Sequence, residues 1–249
     1  MPRFFLPSGS FENGEAVITG SDARHISLSL RMAVGDPIVL CDMRENEYSC
    51  VISEISPDRV RAKILSSSRS ESEPPSVITL YQAIAKGEKM DNIVQKSVEL
   101  GACRIVPVRT ERCIAKITPD AEDGKVKRWQ KIASEAAGQC GRGIIPQVMS
   151  PVSFENALDE MKKDELAFVC YEGDGTLPLT SILDDQVKKS ISFLIGPEGG
   201  LSAAETELAR RKGISLAGLG KRILRTETAP CFVLSCISFS YELGDKTPK

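Results

Sequence analysis

Two glycine-bearing turns near the C-terminus hold the residues that could do group-transfer chemistry, Leu194-Ile-Gly-Pro-Glu-Gly-Gly200 and Leu219-Gly-Lys-Arg-Ile-Leu-Arg-Thr-Glu-Thr-Ala229. Missing side chains let a ligand approach backbone N–H and C=O groups, and glycine alone tolerates positive φ at no steric cost. Glu198 and Glu227 are candidate proton acceptors. Arg225 is a permanently charged donor suited to a developing anion. The spacing favours neither glutamate as the base. One such turn would be explained by a strand running into a helix. Two of them, at strand ends expected to be adjacent, predict a shared cofactor pocket, because ligands of open α/β sheets settle beyond the carboxyl ends of the strands. Gly218-Leu-Gly220 also resembles the start of a dinucleotide fingerprint, but position 223 is Ile and the third glycine is absent. That makes a nicotinamide site a weak reading.

The elements that must position these turns follow from periodicity. Val77–Ile84, Cys103–Val108, Ile145–Val148, Leu166–Tyr171, Ile191–Ile195 and Ile214–Leu219 read as strands. Met90, Ile93, Val94, Ser97 and Val98 fall on one face of a helix stopped by Gly101. Val126, Trp129, Ala133, Ala136 and Cys140 mark a second helix, and Phe154–Met161 a third. Ser202 and Glu205 have the spacing of a capping box opening a helix over Ala203–Lys212. Thr226 or Thr228 is placed to cap a last helix through Tyr241, with Pro230 in its first turn. Strands alternating with helices predict a parallel α/β sheet.

Upstream, Arg3–Leu6, Ala16–Ile18, Pro37–Cys41, Glu47–Ile55 and Arg59–Leu65 are short extended runs. They predict a small β-barrel, interrupted by one helix that opens near Ser21-Asp22 and carries Ile26, Leu28, Leu30 and Met32. The serine-rich stretch from Ser66 to Ser76 is polar, ends in Pro-Pro and reads as a linker. The expected partition is a β-barrel over 1–70, a linker over 71–76 and an α/β domain over 77–249.

Composition narrows the function further. A net charge of −2 argues against coating nucleic acid by bulk charge, though a local basic face remains open. Arg3, Arg24, Arg31, Lys86, Lys89 and Arg142 are candidates for such a face and for RNA backbone contacts. There is one histidine, His25, and none of the eight cysteines forms a C-x-x-C pair. No metal site is expected, and reduced, buried thiols are. The sequence has no apolar run of membrane-spanning length, and the apolar stretch after Met1 is too short for a signal peptide. The expected location is cytoplasmic.

Gly196-Pro-Glu-Gly-Gly-Leu-Ser202, the 219–229 turn, Gln-Lys-Ser-Val-Glu-Leu-Gly (95–101) and Glu-Ala-Ala-Gly-Gln-Cys-Gly-Arg (135–142) together resemble the bacterial small-subunit ribosomal RNA uracil-N3 methyltransferases, members of the SPOUT class of S-adenosylmethionine enzymes. The resemblance runs nearly end to end. It implies a SPOUT-type parallel sheet with a C-terminal trefoil knot, an N-terminal PUA-like RNA-binding β-barrel, S-adenosylmethionine as cofactor and a homodimer with its active site near the subunit interface. Lys221 stands where the family usually has Pro, and Pro230-Cys231 replaces small apolar residues.

On this reading Tyr171, Ile195, Gly196, Gly199, Leu219, Gly220, Leu224 and Thr226 enclose the cofactor. Arg225 steadies the uracil anion, and Glu198 or Glu227 takes the N3 proton. Two related alternatives stay open: a methyltransferase of the same class acting on transfer RNA or a ribose hydroxyl, and a non-catalytic RNA-binding protein.

Overall fold

Residues alternating between apolar and polar build the first sheet: Val60 and Ala62 are buried while Arg59 and Lys63 on either side of them are exposed. The computed structural model describes residues 1–115, 117–184 and 186–243. The chain divides into one unit of Met1–Glu73 with Ala137–Ile145 and a second of Pro74–Ala136 with Pro146–Lys249.

In the first unit the strands are β1 (Arg3–Phe5), β2 (Phe11–Glu12), β3 (Glu15–Thr19), β4 (Pro37–Cys41), β5 (Asn46–Ile55) and β6 (Arg59–Arg69). They form one six-stranded sheet in the order β1-β4-β5-β6-β3-β2. Its pairings are antiparallel except β1 with β4. Phe4, Ile18, Ile38, Leu40, Ile52 and Val60 fill its core together with Ile26.

Two sequence expectations change here. A short helix α1 (Gly20–Arg24) passes into a wider π-type turn over His25–Ser29; Ile26 is buried, but Leu28 and Leu30 are exposed. Leu28 is two residues from Ile26, about 200° around a helix, so it cannot share the inner face of Ile26, and Leu30 lies past the end of the turn at Ser29. The serines read as linker are largely strand: Ser66–Arg69 pairs with Asn46–Ser49. A backbone ladder needs no apolar side chains, so composition alone misses it.

The second unit holds β7 (Val77–Ala83), α2 (Lys89–Glu99), β8 (Arg104–Arg109), the first part of α3 (Pro119–Cys140), β9 (Gln147–Val148), β10 (Val152–Ser153) and α4 (Phe154–Met161). There follow β11 (Leu166–Cys170), β12 (Leu177–Pro178), α5 (Leu179–Ile182), β13 (Ser190–Ile195), α6 (Ala203–Arg211), β14 (Ser215–Gly218) and α7 (Ala229–Tyr241). The strands run β10-β8-β7-β13-β11-β14-β12, with β9 beside β8, and every pairing is parallel.

Periodicity placed the helical faces correctly. Met90, Ile93, Val94, Ser97 and Val98 of α2 are all buried, and Gly101 follows at φ +95°. Ser202 and Glu205 close the capping box of α6. Thr228 holds the N-cap position of α7 without a side-chain cap bond, and Thr226 spends its hydroxyl elsewhere. One core cluster packs Tyr81, Val106, Phe154, Leu158, Met161, Val169, Leu194 and Leu216. Among the described residues no helix is long and apolar enough to cross a membrane.

Candidate active site

Parallel strands aim their carboxyl ends at one edge of the sheet, and four of them build the site. Gln82 lies near the end of β7, Ile195 ends β13, Cys170 ends β11 and Gly218 ends β14. The two glycine turns leave β13 and β14, which are not neighbours: β11 lies between them. The expectation of adjacent strand ends is corrected to that extent. The turns nevertheless meet, because the Thr226 hydroxyl donates to the Gly196 carbonyl at 2.8 Å. Gln82, fully buried, donates from Nε2 to Thr226 Oγ1 at 3.0 Å. This hydrogen-bond chain runs from one strand end through the second turn to the first. Nothing in the sequence marked Gln82, because it sits in an ordinary strand pattern.

Between the turns is a cavity of about 430 Å³, inside the range of small-molecule sites. Tyr171, Ile195, Gly196, Leu219, Gly220, Leu224 and Thr226 line it, together with Arg225, Glu198 and Glu227. Tyr171 and Glu172 form the wall supplied by the intervening β11. Gly199 is the exception: it is outside the lining, and its carbonyl accepts from Arg112 Nη1 at 3.1 Å. The same guanidinium reaches the Leu201 carbonyl at 3.3 Å, so Arg112 braces the first turn from behind. Gly200 sits at φ +67°, and a Cβ there would come within 2.5 Å of Glu172 Oε1. That glycine lets the turn pass the acidic wall.

The mouth carries a charge cluster. Lys89, at the start of α2, places Nζ 3.1 Å from Glu198 Oε1 and 3.6 Å from Glu227 Oε2. The Lys86 backbone N–H donates to the same Glu198 oxygen at 3.1 Å. Burial pushes the Glu198 carboxyl up, but its own backbone N–H, the Lys86 amide and the Lys89 ammonium outweigh this and hold it below the usual range. Lys89 is pushed up, chiefly by its hydrogen bond to Glu198. Expected on the RNA backbone, Lys89 is instead tied into the cavity lining. Lys86 and Arg225 are exposed.

The arginines of the first unit divide. Arg24 and Arg31 are exposed, Arg24 in a loose pair with Asp58 at 3.2 Å. Arg142 is corrected from RNA contact to structural ion pair: its side chain is 3% exposed, and Nη2 lies 2.5 Å from Glu73 Oε2. Glu73 also accepts from the Gly143 amide at 2.9 Å. Arg3 is corrected likewise. Its guanidinium is 14% exposed and donates to Glu47 Oε2 at 2.9 Å and Cys41 Sγ at 3.0 Å. Guanidinium groups so occupied offer little to a phosphate.

Comparison with known proteins matches this arrangement. Residues 72–238 match the model of an RNA methyltransferase domain, and residues 18–65 that of an RNA methyltransferase PUA domain. The ribosomal RNA small subunit methyltransferase E of Bacillus subtilis is 37% identical over 99% of this chain and 100% of its own. That of Aquifex aeolicus is 32% identical over 80% of each. The crystal structure of the Neisseria gonorrhoeae enzyme of the same name, bound to S-adenosyl methionine, superimposes with a TM-score of 0.87. It is 33% identical and covers 96% of this chain and 97% of that one. The fold and site therefore define an RNA methyltransferase with a PUA domain. Within that class, the chain belongs to the ribosomal RNA small subunit methyltransferase E family.

Proposed function

We propose that this protein transfers the methyl group of S-adenosylmethionine to N3 of a uridine in small-subunit ribosomal RNA. The observation carrying the reading is the junction of the two turns at Thr226 and Gly196 around a cavity of cofactor size. The residues fit such a cofactor. Backbone groups of Ile195, Gly196, Leu219 and Gly220 face the cavity, Leu224 and Tyr171 offer apolar walls, and Glu172 is placed for hydroxyl groups. When bound, the cofactor supplies an electrophilic methyl and its own leaving group, so the protein's task is alignment and charge handling.

Arg225 is proposed to stabilise the uracil oxygens as N3 loses its proton. Glu198 and Glu227 are the carboxylates within the same lining. Arg24, Arg31 and Lys86 are proposed as RNA backbone contacts, since they remain exposed. The first unit would then serve as the RNA-binding domain and the second as the catalytic one. A trefoil knot is also proposed: β14 inserts between β11 and β12, so the connection over 171–176 crosses the exit of β14. Threading of this kind is an exception to ordinary topology.

We further propose a homodimer. Phe232 and Phe239 of α7 are exposed, and with Leu179 and Cys236 they line an apolar groove that shares Gly218, Leu219 and Gly220 with the cofactor cavity. A second copy of the chain on that groove would complete the site; sedimentation at graded concentration should show a dimer that Phe239→Glu dissociates.

Mapping of methylated nucleosides in small-subunit RNA tests the chemistry. Wild-type protein should produce N3-methyluridine at one position, and Arg225→Ala should bind cofactor yet produce none. A methylated ribose, or a transfer RNA product, would replace the uridine assignment.

A further inference from the structure

The two glutamates at the cavity mouth are not equivalent, and the difference allocates their roles. Glu198 Oε1 accepts from both the Lys86 amide and the Lys89 ammonium. A carboxylate that already holds two donors has diminished affinity for a proton. Glu227 Oε2 is shut away from solvent and makes no hydrogen bond; the ammonium of Lys89 stands 3.6 Å off, beyond hydrogen-bond reach. A buried, unpartnered acceptor oxygen is uncommon and calls for an explanation. Glu227 is also carried by the same turn as Arg225, two residues away, so the candidate anion stabiliser and this acceptor are fixed by one backbone segment. Charged groups lining the same cavity are Lys89 from α2, Glu172 after β11, Glu198 from the turn after β13, and Lys221, Arg222 and Arg225 from its own turn.

We propose that Glu227 is the base that takes the N3 proton of the target uracil, and that Glu198 and Lys89 are positioning residues. Resting on the methyl-transfer reading above, the assignment names which carboxylate acts. Lys89, pinned by Glu198, stands 3.6 Å from Glu227 Oε2 and orients it without donating a full hydrogen bond to it. In the step, the N3–H bond breaks and the proton passes to the Glu227 carboxylate. The N3 electron pair forms the N–C bond to the donor methyl as the C–S bond breaks with its electrons left on sulfur. Glu227 returns the proton to water after product leaves. Glu198, on the turn after β13, secures that turn to the Lys86–Lys89 segment.

The test uses the full-length protein with small-subunit RNA, measuring methyl transfer against pH for wild type, Glu227→Gln, Glu227→Asp and Glu198→Gln. General-base removal should lower kcat about 10²–10⁴-fold, with KM and cofactor affinity by calorimetry near wild type. The residual rate of Glu227→Gln should climb with pH, because solvent must then generate the uracil anion. Glu227→Asp should recover part of kcat. RNA bearing 5-fluorouridine at the target, with a more acidic N3–H, should rescue Glu227→Gln selectively. Glu198→Gln should raise KM more than it lowers kcat and should show no such rescue. Wild-type kcat in Glu227→Gln, or a loss that neither alkaline pH nor the fluorinated substrate relieves despite intact cofactor binding, would overturn the assignment. A wild-type product other than N3-methyluridine would instead remove the underlying methyl-transfer reading, so the two failures are distinguishable.

Discussion

The hydroxyl of Thr226 donates to the carbonyl of Gly196 across 30 positions of sequence, at 2.8 Å. It joins the turns after β13 and β14 although β11 separates those strands in the sheet. Gln82 Nε2 steadies the same hydroxyl from β7. Three strand ends are thereby locked by two hydrogen bonds, and the cavity exists because they are.

Thr226→Val keeps the shape and removes the hydroxyl. It takes the Thr226 donor from the Gly196 carbonyl and leaves Gln82 Nε2 with the Ala83 carbonyl as its remaining acceptor, at a cost of about 1–3 kcal/mol. Calorimetric titration with the cofactor should show affinity falling about 5–100-fold, with secondary structure intact. Unchanged affinity would mean that the turns meet without this bond.

Glycine is required unequally in the two turns. At Gly200 an added Cβ meets both positive φ and Glu172 Oε1 at 2.5 Å, whereas Gly220 has positive φ and open space. Gly200→Ala should therefore weaken cofactor binding more than Gly220→Ala. Pairing Gly200→Ala with Glu172→Ala should recover part of the loss, a coupling readable from a double-mutant cycle.

The pair of Arg142 with Glu73 is a stability element of the first unit. Breaking this buried, hydrogen-bonded ion pair from either side should be strongly destabilising, so Arg142→Met or Glu73→Gln should each cost about 3–5 kcal/mol, measured by denaturant titration. The salt dependence of RNA binding in protein that stays folded should be unaltered. Charge removal at Arg24 and Arg31 should do the reverse: stability within about 0.5 kcal/mol, and a flatter dependence of RNA affinity on salt.

Acid should loosen the cavity mouth. Because Glu198 titrates below its ordinary value of 4.5 in the folded protein, its contribution is complete above that value and disappears as pH falls through the lower one. Lys89 is raised above 10.5, so its share is complete below that value and is lost as pH climbs through the raised one. Exchange of the Lys86 amide, which donates to Glu198, should show constant protection through the neutral range once intrinsic rates are divided out. Protection should decline at the acid end, and Glu198→Ala, which removes the acceptor, should lose it at every pH.

Much of the fold is legible in the sequence. The faces of α2 and α4, the capping box at Ser202 and Glu205, and the parallel α/β class all follow from local periodicity and capping, which depend on residues a few positions apart. The two turns were legible as a pocket because ligands of open α/β sheets settle beyond the carboxyl ends of the strands, where two glycine-bearing turns together point to a shared site. Reading Leu28 and Leu30 as core, and Ser66–Arg69 as linker, failed because apolar content and polarity are imperfect proxies for what a side chain faces and what a backbone pairs with.

By itself the sequence determined most of the longer strands and helices, and that two glycine-bearing turns would carry Glu198, Arg225 and Glu227. Only the tertiary structure decided that Arg142 is buried against Glu73, that Arg112 braces the Gly199 carbonyl, and that Gln82 anchors Thr226. The reason is range. Capping and periodicity act over one or two turns of chain, whereas charge pairing and hydrogen bonding between strand ends join residues tens to more than a hundred positions apart, and their partners are chosen by how the sheet is ordered.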